Sequence, residues 1–316
     1  MAAVPNPSAR HLSERLRLIE GRVRRAVERR RADDPDADDR FRGLYISEPE
    51  VDRLLAGPLD GPPPPDAHTG EELARIEAEA DAAEAEGADL RLRRLARSFQ
   101  LDAYDVELLL IALAPDVEPR FERLYAYLHD DVSRRRASTG LALELCGAPL
   151  VSGERRRLGP SGPLCAHALL LVEERERPFL TRSLRVPDRV AGHLLADDTP
   201  DPLVESVAAT YAQAEVGDVE LLVRALRLGT HLFYIREPPG GAGLSMATAA
   251  LARLAMPALA LDLARVTGDY DISELIVRAS REAGLRDGAL VVGPIEAIAE
   301  RGPAAVRALA EARSRV

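Results

Sequence analysis

The chain has no lysine and no tryptophan in 316 residues, a single asparagine, Asn6, two cysteines, Cys146 and Cys165, and six scattered histidines. Without lysine it offers no ammonium to reach the outer phosphates of a nucleotide, no Schiff base and no Ser-Lys dyad. Its cysteines and histidines fall in no metal-ligand spacing, and Cys146, among leucines at a helix end, reads as a small core residue. No apolar run is long enough to span a bilayer, and the N-terminal MAAVPNPSARHLSERLRL lacks the apolar stretch of a signal peptide. A cytoplasmic location is the resulting expectation.

What is present is 46% apolar and 30% charged, a globular balance over a length suited to about two or three domains. The net charge of -10 is unevenly placed: residues 1–31 hold nine arginines against three acids, residues 32–86 four against seventeen, and residues 87–200 seventeen of each. No basic domain results, which weighs against a phosphate-tracking surface.

Leu12, Leu16, Ile19, Val23 and Val27 recur at helical spacing and predict one amphipathic helix within segment 1–32, suited to a helix-helix contact. Segment 33–86 reads as linkers and short helices. An acidic run at 33–39 and four consecutive prolines within 57–70 cannot bury themselves, capping-box patterns begin at Ser47 and Thr69, and the acidic, alanine-rich helix opened at Thr69 should lie exposed or against a partner.

Segment 87–200 carries the strongest periodicity. Leu92, Leu95 and Phe99 form one stripe, and Val106, Leu109, Leu110 and Leu113 lie on a helix that Asp102 can cap and Pro115 should end. Phe121, Leu124, Tyr125 and Leu128 mark the next helix; Leu141, Leu143 and Leu145 mark a short third one. A charged turn, EERER, then separates an apolar stretch from a strand predicted over 179–186. Three helices and a hairpin predict a winged helix.

Segment 201–316 alternates strand and helix: strands at 232–235, 258–263 and 289–292, helices at 244–255 and 272–283. That pattern means parallel βαβ units. The first strand should be buried and run into the loop PPGGAGLS, a degenerate phosphate-binding loop. Aligned on G-x-x-x-x-G-K-[ST], Pro238 stands at the first glycine, Gly243 at the second, Leu244 at the lysine and Ser245 at the hydroxyl. Gly240, Gly241, Gly243 and Ser245 are the candidate nucleotide contacts, although prolines lack N–H groups and leucine brings no charge. ATP or ADP with magnesium would therefore bind weakly, and no cofactor is expected. Asp262 and Glu296 read as a turn residue and solvated surface.

The run LDAYDVELLLIALAPDVEPRFERLYAYLHDDVSRRRASTGLAL, over 101–145, resembles the winged-helix module that precedes the ATPase core in a group of bacterial AAA+ proteins, many encoded beside extracellular contractile injection systems. The resemblance implies that a degenerate AAA-like segment can follow the winged helix. It would place an acidic pair at the end of the third strand, where Gly293 and Pro294 stand, and it calls for further strands, a sensor, an arginine finger and a helical lid after a helix at 303–313. A fragment, or a subunit completed by a partner, is what it suggests.

The expected fold is α+β and multi-domain: a mostly helical N-terminal part with a winged helix, then a short parallel α/β P-loop or AAA-like segment. The expected role is a non-catalytic docking and oligomer-organising region, with AAA+ or injection-system components as partners and self-association in reserve. Arg134, Arg135 and Arg136 are the candidate contacts to a partner or to DNA. Against DNA stands the third helix, STGLALELCG, which is nearly all apolar.

Overall fold

Leucine, isoleucine and alanine from Leu108 through Ala114 leave no polar position for water, so this stretch can be stable only inside a core. In the computed structural model it forms the centre of α4 (Ala103–Val117), and each of these seven residues has zero exposure. The structure describes residues 6–32, 51, 67–149, 152–211, 217–238, 241–266, 271–299, 307 and 309, which leaves most of both linkers, the capping-box pattern at Ser47 and most of the helix expected at 303–313 outside the description. Two compact units emerge: residues 1–96 with 100–197, and residues 97–99 with 198–316.

In the first unit α1 (Pro7–Ala32), assigned on sequence to a segment of its own, packs against α2 (Ala67–Ala85), α4, α5 (Arg120–His129) and α6 (Thr139–Leu145). Ile19 and Val23 are fully buried there, and so are polar groups that need partners. Arg22 forks onto Glu107 of α4 at 2.7 and 2.5 Å. Glu77 of α2 accepts from Arg15 at 2.5 Å and from Arg93, on α3 (Arg91–Ser98), at 2.7 and 2.9 Å, and it lies 3.4 Å from His11 Nε2. α2 is therefore docked through Ile76 and these ion pairs rather than left exposed, and it starts at Ala67, so Thr69 lies inside it rather than at its cap.

Asp102 caps α4 and closes a reciprocal capping box with Asp105. Pro115 does not end this helix. Its missing N–H leaves the Ile111 carbonyl without the usual donor four residues on, and buried Tyr125 donates its hydroxyl there at 2.8 Å, so the last turn runs on to Val117. Ser138 caps α6, its hydroxyl accepting from Leu141 N. A 3-10 turn over Gly153–Leu158 and the short α7 (Pro163–Ala166) precede the wing. The wing is shorter than the strand predicted over 179–186: Phe179–Thr181 forms a 3-10 turn, and only β1 (Leu171–Val172) and β2 (Leu184–Arg185) pair, antiparallel. A bridge from Ser138 to Ser183 ties the hairpin to the start of α6, and α8 (Asp188–Leu194) completes the unit. Both cysteines lie here; burial pushes the Cys146 thiol far up and that of Cys165 to about 11.

The second unit holds α9 (Pro202–Val207), α10 (Val219–Arg227), α11 (Gly243–Arg253), β3 (Ala258–Asp262), α12 (Ile272–Leu285), β4 (Ala289–Gly293) and α13 (Glu296–Ala299). β3 and β4 pair in parallel, Ala258 opposite Ala289, as a βαβ unit requires. Side chains alternate across the sheet: Leu259, Leu261 and Leu290 pack with α9 and α12, while Ala260, Ala289 and Val291 pack with Leu251 of α11. Buried Asp201 joins α9 to α12 by accepting from Arg281 at 2.9 Å. The strand expected at 232–235 is absent: residues 231–238 form no ladder, and Leu232 and Tyr234 are 51% and 74% exposed. Apolar, β-branched composition favours a strand, but a strand exists only by pairing, and no described segment lies alongside to pair.

Two outcomes follow from these contacts. Tyr125→Phe keeps the ring and strands the buried Ile111 carbonyl, so urea denaturation should show a loss of about 1–3 kcal/mol. The His11 imidazole, with the guanidinium groups of Arg93 and Arg15, holds the Glu77 carboxyl down at about 2 against an ordinary 4.5, despite the opposing effect of burial. A depressed carboxyl stabilises above its unfolded value, so this contribution is complete above pH 4.5 and vanishes as pH falls toward 2. Glu77→Gln should cost about 2 kcal/mol at pH 7, after a discount for solvent contact, and should flatten the acid limb of the stability profile.

Candidate functional site

The loop before α11 enters the helix N-terminus, where backbone N–H groups lack intrahelical acceptors and attract anions. Here the chain supplies its own anion. The Glu237 carboxylate accepts from Gly243 N, and a Cβ at Gly241 or Gly243 would strike that same carboxylate. These two glycines therefore clear room for a side chain of the protein itself; Gly240 lies outside the described residues. Leu244, at the lysine position, turns inward: a Cβ on Gly293 would come within 3.1 Å of its side chain, and it packs against the cluster of Leu251, Ala260, Ala289 and Val291.

The remaining candidates are drawn apart. Glu237, Gly243, Leu244, Gly293 and Glu296 line one cavity of about 560 Å³, whereas Ser245 and Asp262 are not among its lining residues. Asp262 caps a 3-10 turn through Ala264 N and pairs with Arg265 at 3.2 Å. Glu296 is exposed. Sequence reading missed Glu237, although a carboxylate immediately before the proline of such a loop is a readable signal.

In the first unit the three arginines line a cleft of about 460 Å³ between the α5–α6 connection and the wing. Arg136 forks onto Asp116 at 2.7 and 2.9 Å, and Arg134 donates to the Thr181 carbonyl at 3.0 Å. Arg135 is held most loosely, 69% exposed and 3.7 Å from Glu122. Burial depresses the pKa of His129, whose Nε2 faces the Arg136 carbonyl at 3.2 Å, so its imidazole is neutral at pH 7. The second basic run is similarly tied: Arg157 meets Glu154, Asp102 and Asp105, and Arg155 lies over the Phe179 ring at 4.9 Å. α6, the helix a duplex reader would present, faces inward. Thr139, Ala142 and Leu143 have zero exposure, and a Cβ on Gly140 would meet the Leu180 carbonyl at 2.8 Å.

Helices closed by a short wing define a winged helix. Residues 7–208 match the family described as winged helix domain, variant, and the chain belongs to that family. The match begins at the start of α1. No curated protein and no solved structure matches the chain. No described helix is long and apolar enough to cross a membrane, and the described residues hold no group of three or more His, Cys, Asp or Glu able to bind a metal.

The arginines should separate on substitution. Arg136→Ala removes a half-buried bidentate pair and should lower the stability of the first unit by about 1 kcal/mol, while Arg135→Ala should stay within about 0.5 kcal/mol. Thermal denaturation of both variants beside the unsubstituted chain reads the difference.

Proposed function

We propose that the winged-helix unit docks proteins rather than duplex DNA and that the chain serves as a non-catalytic interaction and oligomer-organising region. The inward-facing α6 carries this reading: with its residues packed beneath the Phe179–Thr181 turn, it has few side chains to offer a major groove. Arginines already joined to Asp116 and the Thr181 carbonyl release few counterions on meeting phosphate, which supports the same conclusion. Arg135, beside exposed Val132, is the contact a protein partner would use.

The finer setting, docking for an AAA+ ATPase or another component of a contractile injection system, rests on the resemblance over 101–145. In that setting the loop at Gly241, Gly243 and Ser245 is a structural turn. ATP or ADP with magnesium would have to displace Glu237 and would meet Leu244 where the motif has its lysine, so the unit neither retains nor hydrolyses nucleotide.

Duplex binding measured by fluorescence anisotropy between 50 and 200 mM salt tests the choice. Three arginine–phosphate contacts would give a log–log salt slope of roughly -3, abolished in the Arg134→Ala, Arg135→Ala, Arg136→Ala triple variant. The expected result is no binding that responds to both; such a response would make the chain a DNA-binding regulator. Recovery from native extract of an AAA+ or injection-system protein, weakened by Arg135→Glu, is expected, and its absence would remove that setting. Calorimetric titration with Mg-ATP should show no heat, and phosphate release above background would overturn the non-catalytic reading.

A further inference from the structure

Ser138 and Ser183 stand opposite each other in the bridge that ties the wing to the start of α6. Thr139 N donates to the Arg182 carbonyl and Leu184 N to the Ala137 carbonyl, each at 2.9 Å. The serines between these two bonds are thus a non-hydrogen-bonded pair, the kind whose side chains approach most closely on one face of a sheet. Both line the 460 Å³ cleft. Ser138 is only 6% exposed, and its hydroxyl accepts from Leu141 N, yet no described residue takes its proton. The Ser183 hydroxyl makes no hydrogen bond among the described residues. Two O–H donors are therefore unspent at one place in the wall.

The acceptors of the same wall are already occupied. Glu173 accepts from Arg185 Nε at 2.6 Å, Glu174 pairs with Arg177 at 3.0 Å, and the Arg136 and Thr181 carbonyls meet His129 and Arg134. The hydroxyls of Ser133 and Thr181 are spent on Asp131 and on the Pro178 carbonyl. What remains are donors. Arg134 makes one hydrogen bond, to a neutral carbonyl, and Arg135 lies 3.7 Å from Glu122, beyond hydrogen-bond reach. Asp131 and Glu122, the carboxylates nearest these two guanidinium groups, stand outside the lining, so the cleft presents four arginines against two glutamates. A wall with spare donors and an excess of positive charge suits a ligand group that only accepts and is negative.

The amount of charge separates a carboxylate from a phosphate. Arg136 is neutralised by Asp116, while Asp131 and Glu122 still act on Arg134 and Arg135 from 3.8 and 3.7 Å. No two arginines are left uncompensated for a dianion. A single charge spread over two oxygens fits the planar fork of Arg135. We propose that the cleft reads one aspartate or glutamate side chain of the partner protein, its carboxylate held by Arg135 and by the paired hydroxyls of Ser138 and Ser183. This rests on the protein-docking reading above and names the chemistry of the contact. Val132, 79% exposed and next to Ser133 of the lining, gives an apolar neighbour of that acid a place to rest.

The probe is the peptide acetyl-GLEVG-amide, titrated into the full chain and followed by NMR at the amides of Arg135, Ser138 and Ser183. The same peptide with glutamine, and a third with phosphoserine, replace the glutamate in parallel titrations. The glutamate peptide should bind about tenfold or more tightly than the glutamine peptide, because a hydrogen bond to a charged group is the stronger one. Ser183→Ala removes a hydroxyl that no described residue uses, so the fold should persist while the glutamate peptide binds about tenfold more weakly. Arg135→Glu should abolish binding. No shift with the glutamate peptide, equal affinity for the glutamine peptide, or unchanged affinity in Ser183→Ala overturns the carboxylate site. The docking reading survives those results if the native-extract partner is still lost in Arg135→Glu, so the two can fail separately. Tighter binding of the phosphoserine peptide would assign the cleft to a dianion and overturn the single-carboxylate site. Binding seen only after Asp33, Asp34, Asp36, Asp38 and Asp39 are replaced by Asn would give the cleft to the chain's own acidic run and overturn the partner assignment.

Discussion

The fork from Arg22 to Glu107 fixes the first unit. Both side chains are largely withdrawn from water, on the two helices that run through its centre. Breaking such a pair from one side costs about 3–5 kcal/mol, because the remaining charge stays buried without compensation. The first helix therefore cannot peel away from α4 without exposing Ile19 and Val23 and leaving Glu107 alone. The family match, which begins at residue 7, takes in this helix as well as those nearest the wing.

Much of the fold could be read in the chain because local signals agreed with tertiary ones. Asp102 stands where a side-chain cap is needed, and the apolar spacing of α4, α5, α11 and α12 places each helix within a few residues. The failures share a cause: they depend on groups distant in sequence. Leu232, Phe233, Tyr234 and Ile235 have strand composition, but a ladder needs a neighbour, and composition does not reveal one. Pro115 is tolerated inside α4 because Tyr125 reaches back to Ile111. The run at 134–136 looks cationic until Asp116 and the Thr181 carbonyl are placed beside it.

In both units a segment that sequence alone reads as a ligand surface is satisfied from within the protein. The winged helix packs its third helix into its own core, and the glycine loop before α11 receives a carboxylate from six residues earlier. Each substitution is local and small, one glycine-lined turn or one apolar helix face. Together they shift emphasis from ligand chemistry to surfaces, among them a cleft with one loosely held arginine.

The placement of the thiols gives the protein an internal clock. Both cysteines of the chain lie in the winged-helix unit, and neither thiol ionises readily, since burial pushes Cys165 to about 11 and Cys146 higher. Alkylation of Cys146 must wait for that unit to open, while the α/β unit can unfold without presenting a thiol at all. The rate at which an alkylating reagent modifies Cys146, as distinct from the partly exposed Cys165, thus times the opening of that unit.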